Sequence, residues 1–242
     1  MSFIRGYAVR CLQAWLKKFR LRHGLTSVEQ PAASLWNCMA EERLLLHVGC
    51  GHATKVNTTQ GFQPDGWREI RLDIDLAARP DVVCSMLDMA PVPADSCDAV
   101  YSSHNIEHLY PHEVLLALSE FIRVLKPDGF LVLTCPDLQS VCRLVAEGRL
   151  TETAYVSPAG PIAPLDILYG HRPRLAAGNL FMAHHTGFTL ATLVAVLREA
   201  GFAKVRGYRR EDGFDLWVLA SKSPRADEQM ATLASDYLPA MG

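Results

Sequence analysis

The chain has no run of about 18 consecutive apolar residues, so no segment reads as a membrane-spanning helix. It has no CxxC pair, and its seven cysteines are an odd number placed singly. That excludes a disulfide framework and a dithiol redox motif. Cys84, Cys97, Cys135 and Cys142 read as small apolar residues in a reducing compartment, and a cytoplasmic location is expected. Ligands clustered at zinc spacing are missing, so no structural metal is expected. A large charge of either sign is missing too: the net charge of −2 gives no bulk attraction to nucleic acid. There is no internal repeat. No acidic residue precedes Glu29, although Arg5, Arg10, Lys17, Lys18, Arg20 and Arg22 all do. A continuous apolar core and a small-residue cleavage site are both lacking there, which excludes a signal peptide.

What is present is a short apolar run that stops at two glycines, Leu44-Leu45-Leu46-His47-Val48-Gly49-Cys50-Gly51. The run has strand length, and each glycine lets the backbone turn and a ligand lie close. Such a turn at the carboxyl edge of a parallel sheet is where open α/β folds bind nucleotides. Glu69 to Leu72 reads as a second strand that ends at Asp73, 22 residues after Gly51, where an acid can accept hydrogen bonds from a ribose diol. Val82 to Cys84 is a short third strand, Asp88 lies just past it, and Asp98 to Tyr101 is a fourth. Glu113 to Leu125 places Val114, Leu115, Leu118, Phe121, Ile122 and Leu125 on one helical face. Lys126-Pro127-Asp128-Gly129 breaks that helix, and Phe130 to Thr134 is the fifth strand. Thr189 caps a helix through Ala200 that Gly201 ends. Val205 to Arg209 and Leu216 to Ala220, joined through Asp212-Gly213, form a final strand pair.

Five of these segments, in order, carry a resemblance: LLLHVGCG, EIRLDID, MLDMAPVPADSCDAVYSSHNIEHL, RVLKPDGFLVLTCPD and HHTGFTLATLVAVLREAGF. From about Leu44 to Leu219 the chain resembles class I S-adenosylmethionine-dependent methyltransferases. The resemblance implies an α/β fold: a doubly wound, Rossmann-like, mostly parallel sheet of about seven strands, closed by the C-terminal antiparallel pair. It implies S-adenosylmethionine as cofactor. Gly49, Cys50 and Gly51 would face its methionine part. Asp73, followed by Ile74, would hold the ribose, and Asp88 would meet the adenine amine between Leu87 and Met89. His104 would lie near the sulfonium. A third glycine common in the family is replaced here by Ala53.

The residues themselves argue against the alternative of an NAD-dependent sugar-modifying oxidoreductase. A pyrophosphate wants a helix N-terminus directly after the glycine loop. His52 to Trp67 is polar, carries Gly61, Pro64 and Gly66, and shows no apolar stripe. A second alternative, a cofactor-binding protein without turnover, leaves the same residues in place.

The expected organisation is an N-terminal helical extension over 1–40, a methyltransferase domain over 41–222 and a surface tail over 223–242. Residues 3–22 have two readings: a basic amphipathic helix on an anionic membrane surface or nucleic acid, or a helix that packs on the domain or lids the cofactor. The second is preferred. The long, turn-rich connection 137–187 leaves the fifth strand at the edge where chemistry is expected, with Val141 to Ala146 a short helix within it, and is expected to cover the acceptor. Within it Tyr169, His171, His184 and His185 are the expected substrate-binding residues, and His104 and His184 the candidate catalytic ones, since a neutral imidazole can take a proton from a hydroxyl or amine. His47 and His108 read as structural. Adjacent histidines in an extended loop point apart, so the His184–His185 pair is not expected to bind metal. Neither the methyl acceptor, small or macromolecular, nor the oligomeric state follows from these residues.

Overall fold

A computed structural model describes residues 33–36 and 42–240. The basic N-terminal stretch 3–22 and most of the expected extension lie outside the described residues. Seven strands form one sheet: β1 Arg43–Val48, β2 Trp67–Asp73, β3 Val82–Val83, β4 Cys97–Ser103, β5 Leu125–Pro136, β8 Lys204–Arg210 and β9 Asp215–Ser221. Their order is β3-β2-β1-β4-β5-β9-β8. The first five run parallel, and β9 and β8 are antiparallel additions. Chain order reverses between β1 and β4, so the carboxyl ends of these two strands frame the crevice where such sheets bind ligands. The expected fold class is the observed one.

Every residue of β1 after Arg43 is buried, as a parallel strand covered on both faces must be. Alternate residues serve two cores. Leu44, Leu46 and Val48 face α1 (Val114–Val124) and α5 (Leu190–Ala200), which contribute Leu118, Phe121, Leu193 and Leu197. Thr189 accepts the Thr192 amide at the start of α5, and Gly201 ends it at φ +111°. Leu45 faces the opposite side, with Phe62, Trp67, Phe130, Trp217 and Tyr237.

That opposite face corrects one expectation. Between β1 and β2 the chain makes only two short 3-10 turns, Lys55–Asn57 and Gln60–Phe62. The face is closed instead by α6 (Asp227–Tyr237), inside the segment expected to be a surface tail. Met230, Tyr237 and Leu238 are buried there. The Tyr237 ring sits 4.8 Å from both Phe62 and Phe130, and its hydroxyl accepts from Arg43 Nη1 at 2.9 Å. A Cβ on Gly61 would lie 2.2 Å from the Asp236 carbonyl, so glycine is what lets this helix come so near. Met230, Leu233, Ala234 and Tyr237 recur at i, i+3, i+4 and i+7, a helical stripe that the reading of this segment as a tail overlooks.

The connection 137–187 is more ordered than its turn residues suggest. It holds α2 (Leu138–Ala146), the hairpin β6–β7 (Tyr155–Ser157, Gly160–Ile162), α3 (Pro164–Tyr169), α4 (Arg172–Ala176) and a 3-10 turn at Leu180–Met182. Val141, Ile162 and Ile167 form its own small core. Among the described residues no helix is long and apolar enough to cross a membrane.

Replacing Tyr237 by alanine should cost about 3–5 kcal/mol of unfolding free energy, the scale for deleting a buried aromatic ring. Urea unfolding followed by circular dichroism measures it, and a change under about 0.5 kcal/mol, the size of an ordinary surface effect, would return the segment to the status of a tail.

Candidate active site

The chain leaves β1 through Gly49 at φ +64° and Gly51 at φ +50°. The two glycines serve different purposes. A Cβ on Gly49 would fall 2.0 Å from Asn105 Oδ1, because the Asn105 amide sits there and donates to the Val48 and Ser103 carbonyls. A Cβ on Gly51 would meet nothing within 4 Å. Gly49 is therefore required by the fold, whereas Gly51 leaves open space. Cys50 between them is buried, and burial pushes its thiol up to about 11, so it is no nucleophile at neutral pH.

The Gly51 amide donates to Asp73 Oδ2 at 2.7 Å, and the Asp75 amide donates to Oδ1 at 2.8 Å. A carboxylate has about four acceptor positions, so roughly two remain for a diol. The loop itself is held by Arg71, a residue the sequence did not single out. Its guanidinium donates to the carbonyls of Gly51, Ala53, Ala78 and Arg79. A basic residue two positions before the strand-end acid was the only signal.

Ile74, next to Asp73, is partly exposed. At the neighbouring strand end Asp88 is partly exposed, in a turn closed by its amide on the Ser85 carbonyl. Leu87 and Met89 flank it but are buried in the main core, with Met89 wholly enclosed. As placed, Met89 supports the Asp88 turn from beneath and presents no free face.

His104 follows β4 at φ 52°, a left-handed conformation rare for a residue with a side chain. Its Nδ1 lies 3.4 Å from Glu107 Oε1. Partial burial disfavours charging the ring, but the Glu107 carboxylate outweighs it and lifts the imidazole above the usual histidine range. Glu107 is 1% exposed, and neither of its carboxylate oxygens accepts a hydrogen bond of good geometry. Burial opposes its charge, yet His104, His108 and His184 around it hold its carboxyl below the usual range.

The connection 137–187 returns to this point. The His185 and Thr186 amides both donate to the Glu107 carbonyl, at 2.8 and 3.2 Å. A recess of about 200 Å³ opens here, lined by Glu107, Pro136, Leu138, Tyr169, His184 and His185 among others. Of the four expected substrate-side residues, the structure brings Tyr169, His184 and His185 to this recess. Tyr169 is largely exposed at its rim, and His185 stacks on Tyr110 at 4.2 Å. His171, at the start of α4, is not among the lining residues. His47 packs inside the sheet, with Nδ1 2.7 Å from Glu69. The connection is braced by Asp166, whose carboxylate takes two hydrogen bonds from the Arg172 guanidinium, at 2.7 and 3.0 Å, and one from the Ala163 amide. These hold its carboxyl down at about 2.

A doubly wound sheet, a glycine turn leaving β1, an acid at the tip of β2 and an open crevice between β1 and β4 form the frame in which such folds bind nucleotide-like ligands. Residues 46–133 match the family model described as "Methyltransferase domain". The match spans the sheet from β1 into β5, the part that carries the glycine turn and Asp73. The residues fit S-adenosylmethionine: Gly51 leaves room for it, and Asp73 keeps acceptor positions for its ribose. Among solved structures, the fold is similar to a SAM-dependent methyltransferase from Methanosarcina mazei, at 18% identity over 80% of this chain and 98% of that one, with a TM-score of 0.50. The CMeT domain of the citrinin polyketide synthase aligns at 15% identity and a TM-score of 0.49, over 78% of this chain and 48% of that one, so the chain spans about half its length. The 1,6-didemethyltoxoflavin-N1-methyltransferase of Burkholderia thailandensis aligns at 16% identity and a TM-score of 0.47, over 91% and 90%. No curated protein matches the chain.

Two outcomes follow from this geometry. Gly51→Ala should cost only about 1–2 kcal/mol of stability, from its left-handed backbone, yet abolish cofactor binding. Gly49→Ala should cost about 2–5 kcal/mol, because its Cβ also displaces Asn105. Thermal melts with calorimetric titration of S-adenosylhomocysteine separate the two, and a Gly51→Ala protein that binds normally would remove the loop from the site. The second outcome concerns acid. Asp166 has a folded pKa below its unfolded one, so its contribution is complete above about pH 4 and is lost as pH falls toward 2. With Arg172 half-exposed, that contribution should be about 1–2 kcal/mol. Urea unfolding of the wild type and Asp166→Asn at pH 7 and pH 3 checks it, since the difference between the two proteins must shrink at the lower pH.

Proposed function

We propose that this protein is an S-adenosylmethionine-dependent methyltransferase that binds its cofactor along the carboxyl ends of β1, β2 and β4 and methylates an acceptor seated in the recess under the 137–187 connection. The observation that carries this reading is the open space before Gly51, beside an acid whose free lone pairs suit a ribose. When bound, the cofactor supplies an electrophilic methyl group whose leaving group is a neutral thioether. The protein's own task is therefore to align the acceptor in line with that group and to keep water out.

In this reading Gly49 to Gly51 cradle the methionine part, Asp73 holds the ribose hydroxyls with Ile74 alongside, and Asp88 accepts from the adenine amine with Leu87 and Met89 supporting its turn. His104, oriented by Glu107, stands where the chain passes from cofactor to acceptor and can take the acceptor's proton at a ring nitrogen. His184, Tyr169 and His185 contact the acceptor. Residues 52–66 contain only 3-10 turns and no α-helix, so a pyrophosphate would find no helix N-terminus there. That weighs against the dinucleotide alternative. A cytoplasmic location completes the proposal.

Asp73→Ala should weaken S-adenosylhomocysteine binding by about 1.5–3 kcal/mol, the scale of hydrogen bonds to a charged group, and NAD should not bind the wild type. Calorimetry measures both, and unchanged affinity in the variant would assign the ribose to another residue. His184→Ala and Tyr169→Phe should lower turnover at unchanged S-adenosylhomocysteine affinity.

A further inference from the structure

We propose that Glu107, His108 and His184 form a binding site for a divalent first-row transition metal, with zinc as its first probe. One ligand atom from each residue lies within 4.8 Å of the other two. A tetrahedral metal with bonds of about 2.1 Å holds its ligands roughly 3.4 Å apart, so modest side-chain rotations complete the set. Two histidines and one carboxylate are a common donor set for zinc and for other metals of this row.

Two observations beyond proximity point to a cation. First, both histidines are fixed in the state a metal requires. His108 Nδ1 lies 3.0 Å from the Ala183 carbonyl oxygen, and His184 Nδ1 lies 2.7 Å from the Ile167 carbonyl oxygen. A carbonyl can only accept, so Nδ1 carries a proton, and in the neutral ring Nε2 keeps its lone pair. A backbone carbonyl on the distal nitrogen is the usual support of a metal-bound imidazole. Second, the Glu107 carboxylate is buried, and both oxygens lack a hydrogen bond of good geometry. His104 reaches Oε1 only as an ion pair at 3.4 Å. The histidines gathered around it offset part of the cost of burying this charge, and a cation at the carboxylate oxygens would offset the rest. Glu107 and His184 also line the recess, which leaves a coordination position facing open volume.

No ligand spacing in the sequence announced this set. His184 comes from the far end of the 137–187 connection, while Glu107 and His108 sit on the 3-10 turn after β4. A bound metal would pin the connection to the sheet edge. Where methyl transfer takes place at the recess, as proposed above, the free position suits a hydroxyl or thiol acceptor, whose proton a metal makes easier to remove. Metal binding itself is tested without that assumption.

The test uses the full chain freed of metal by chelator and titrated with Zn²⁺ by calorimetry and with Co²⁺ by visible d–d absorption. One equivalent should bind and raise the melting temperature. His108→Ala, His184→Ala and Glu107→Gln should each weaken Zn²⁺ binding at least about tenfold, while His185→Ala, which alters the adjacent ring outside the set, should leave it unchanged. Circular dichroism establishes that each variant is folded, and S-adenosylhomocysteine titration of the same samples reads the cofactor site separately. Absence of stoichiometric Zn²⁺ binding by the wild type, or equal affinity in the folded variants, would overturn the site whatever the cofactor titration shows.

Discussion

One guanidinium organises the glycine-loop edge of this domain. Arg71 donates to four backbone carbonyls, on Gly51 and Ala53 in the glycine loop and on Ala78 and Arg79 beyond β2. A helix directly after the loop would have satisfied such groups from its own backbone. Here there is none, and unpaired carbonyls at a part-buried edge are costly. Arg71 supplies the donors from the strand, and it comes from the same strand as Asp73. The loop and the acid that would hold the ribose are thus set by one rigid element.

The missing helix has a second consequence on the opposite face of the sheet. Phe62, Trp67 and Phe130 would otherwise be exposed, and α6 covers them with Met230, Tyr237 and Leu238. The chain's C-terminal segment is therefore part of the core. Its seat combines the apolar stripe of Met230, Leu233, Ala234 and Tyr237 with the close backbone approach at Gly61.

On the side of the 137–187 connection the controlling feature is Glu107. Its carbonyl anchors the returning connection through the amides of His185 and Thr186, and its carboxylate gathers three histidines. His108 was expected to be structural, and it does bond a carbonyl. That same bond engages only Nδ1, so the structural role is compatible with the ligand role proposed for the other nitrogen. The Asp166–Arg172 pair and the Val141–Ile162–Ile167 core keep the connection in place over this group.

By itself the sequence determined the individual strands, α1, α5 and the glycine–acid signature, because these depend on local periodicity and on residues whose backbone demands are visible one at a time, and the family resemblance added the doubly wound sheet. Gly51 and Asp73 could be read this way, and so could Thr189 and Gly201. Only the tertiary structure decided what depends on groups distant in the chain meeting in space. Arg71 gains its role from four carbonyls on two separate turns. Tyr237 gains its role from an aromatic face left bare by a loop far earlier in the chain. Glu107, His108 and His184 become one constellation only when the connection folds back, and neither spacing nor composition encodes that return.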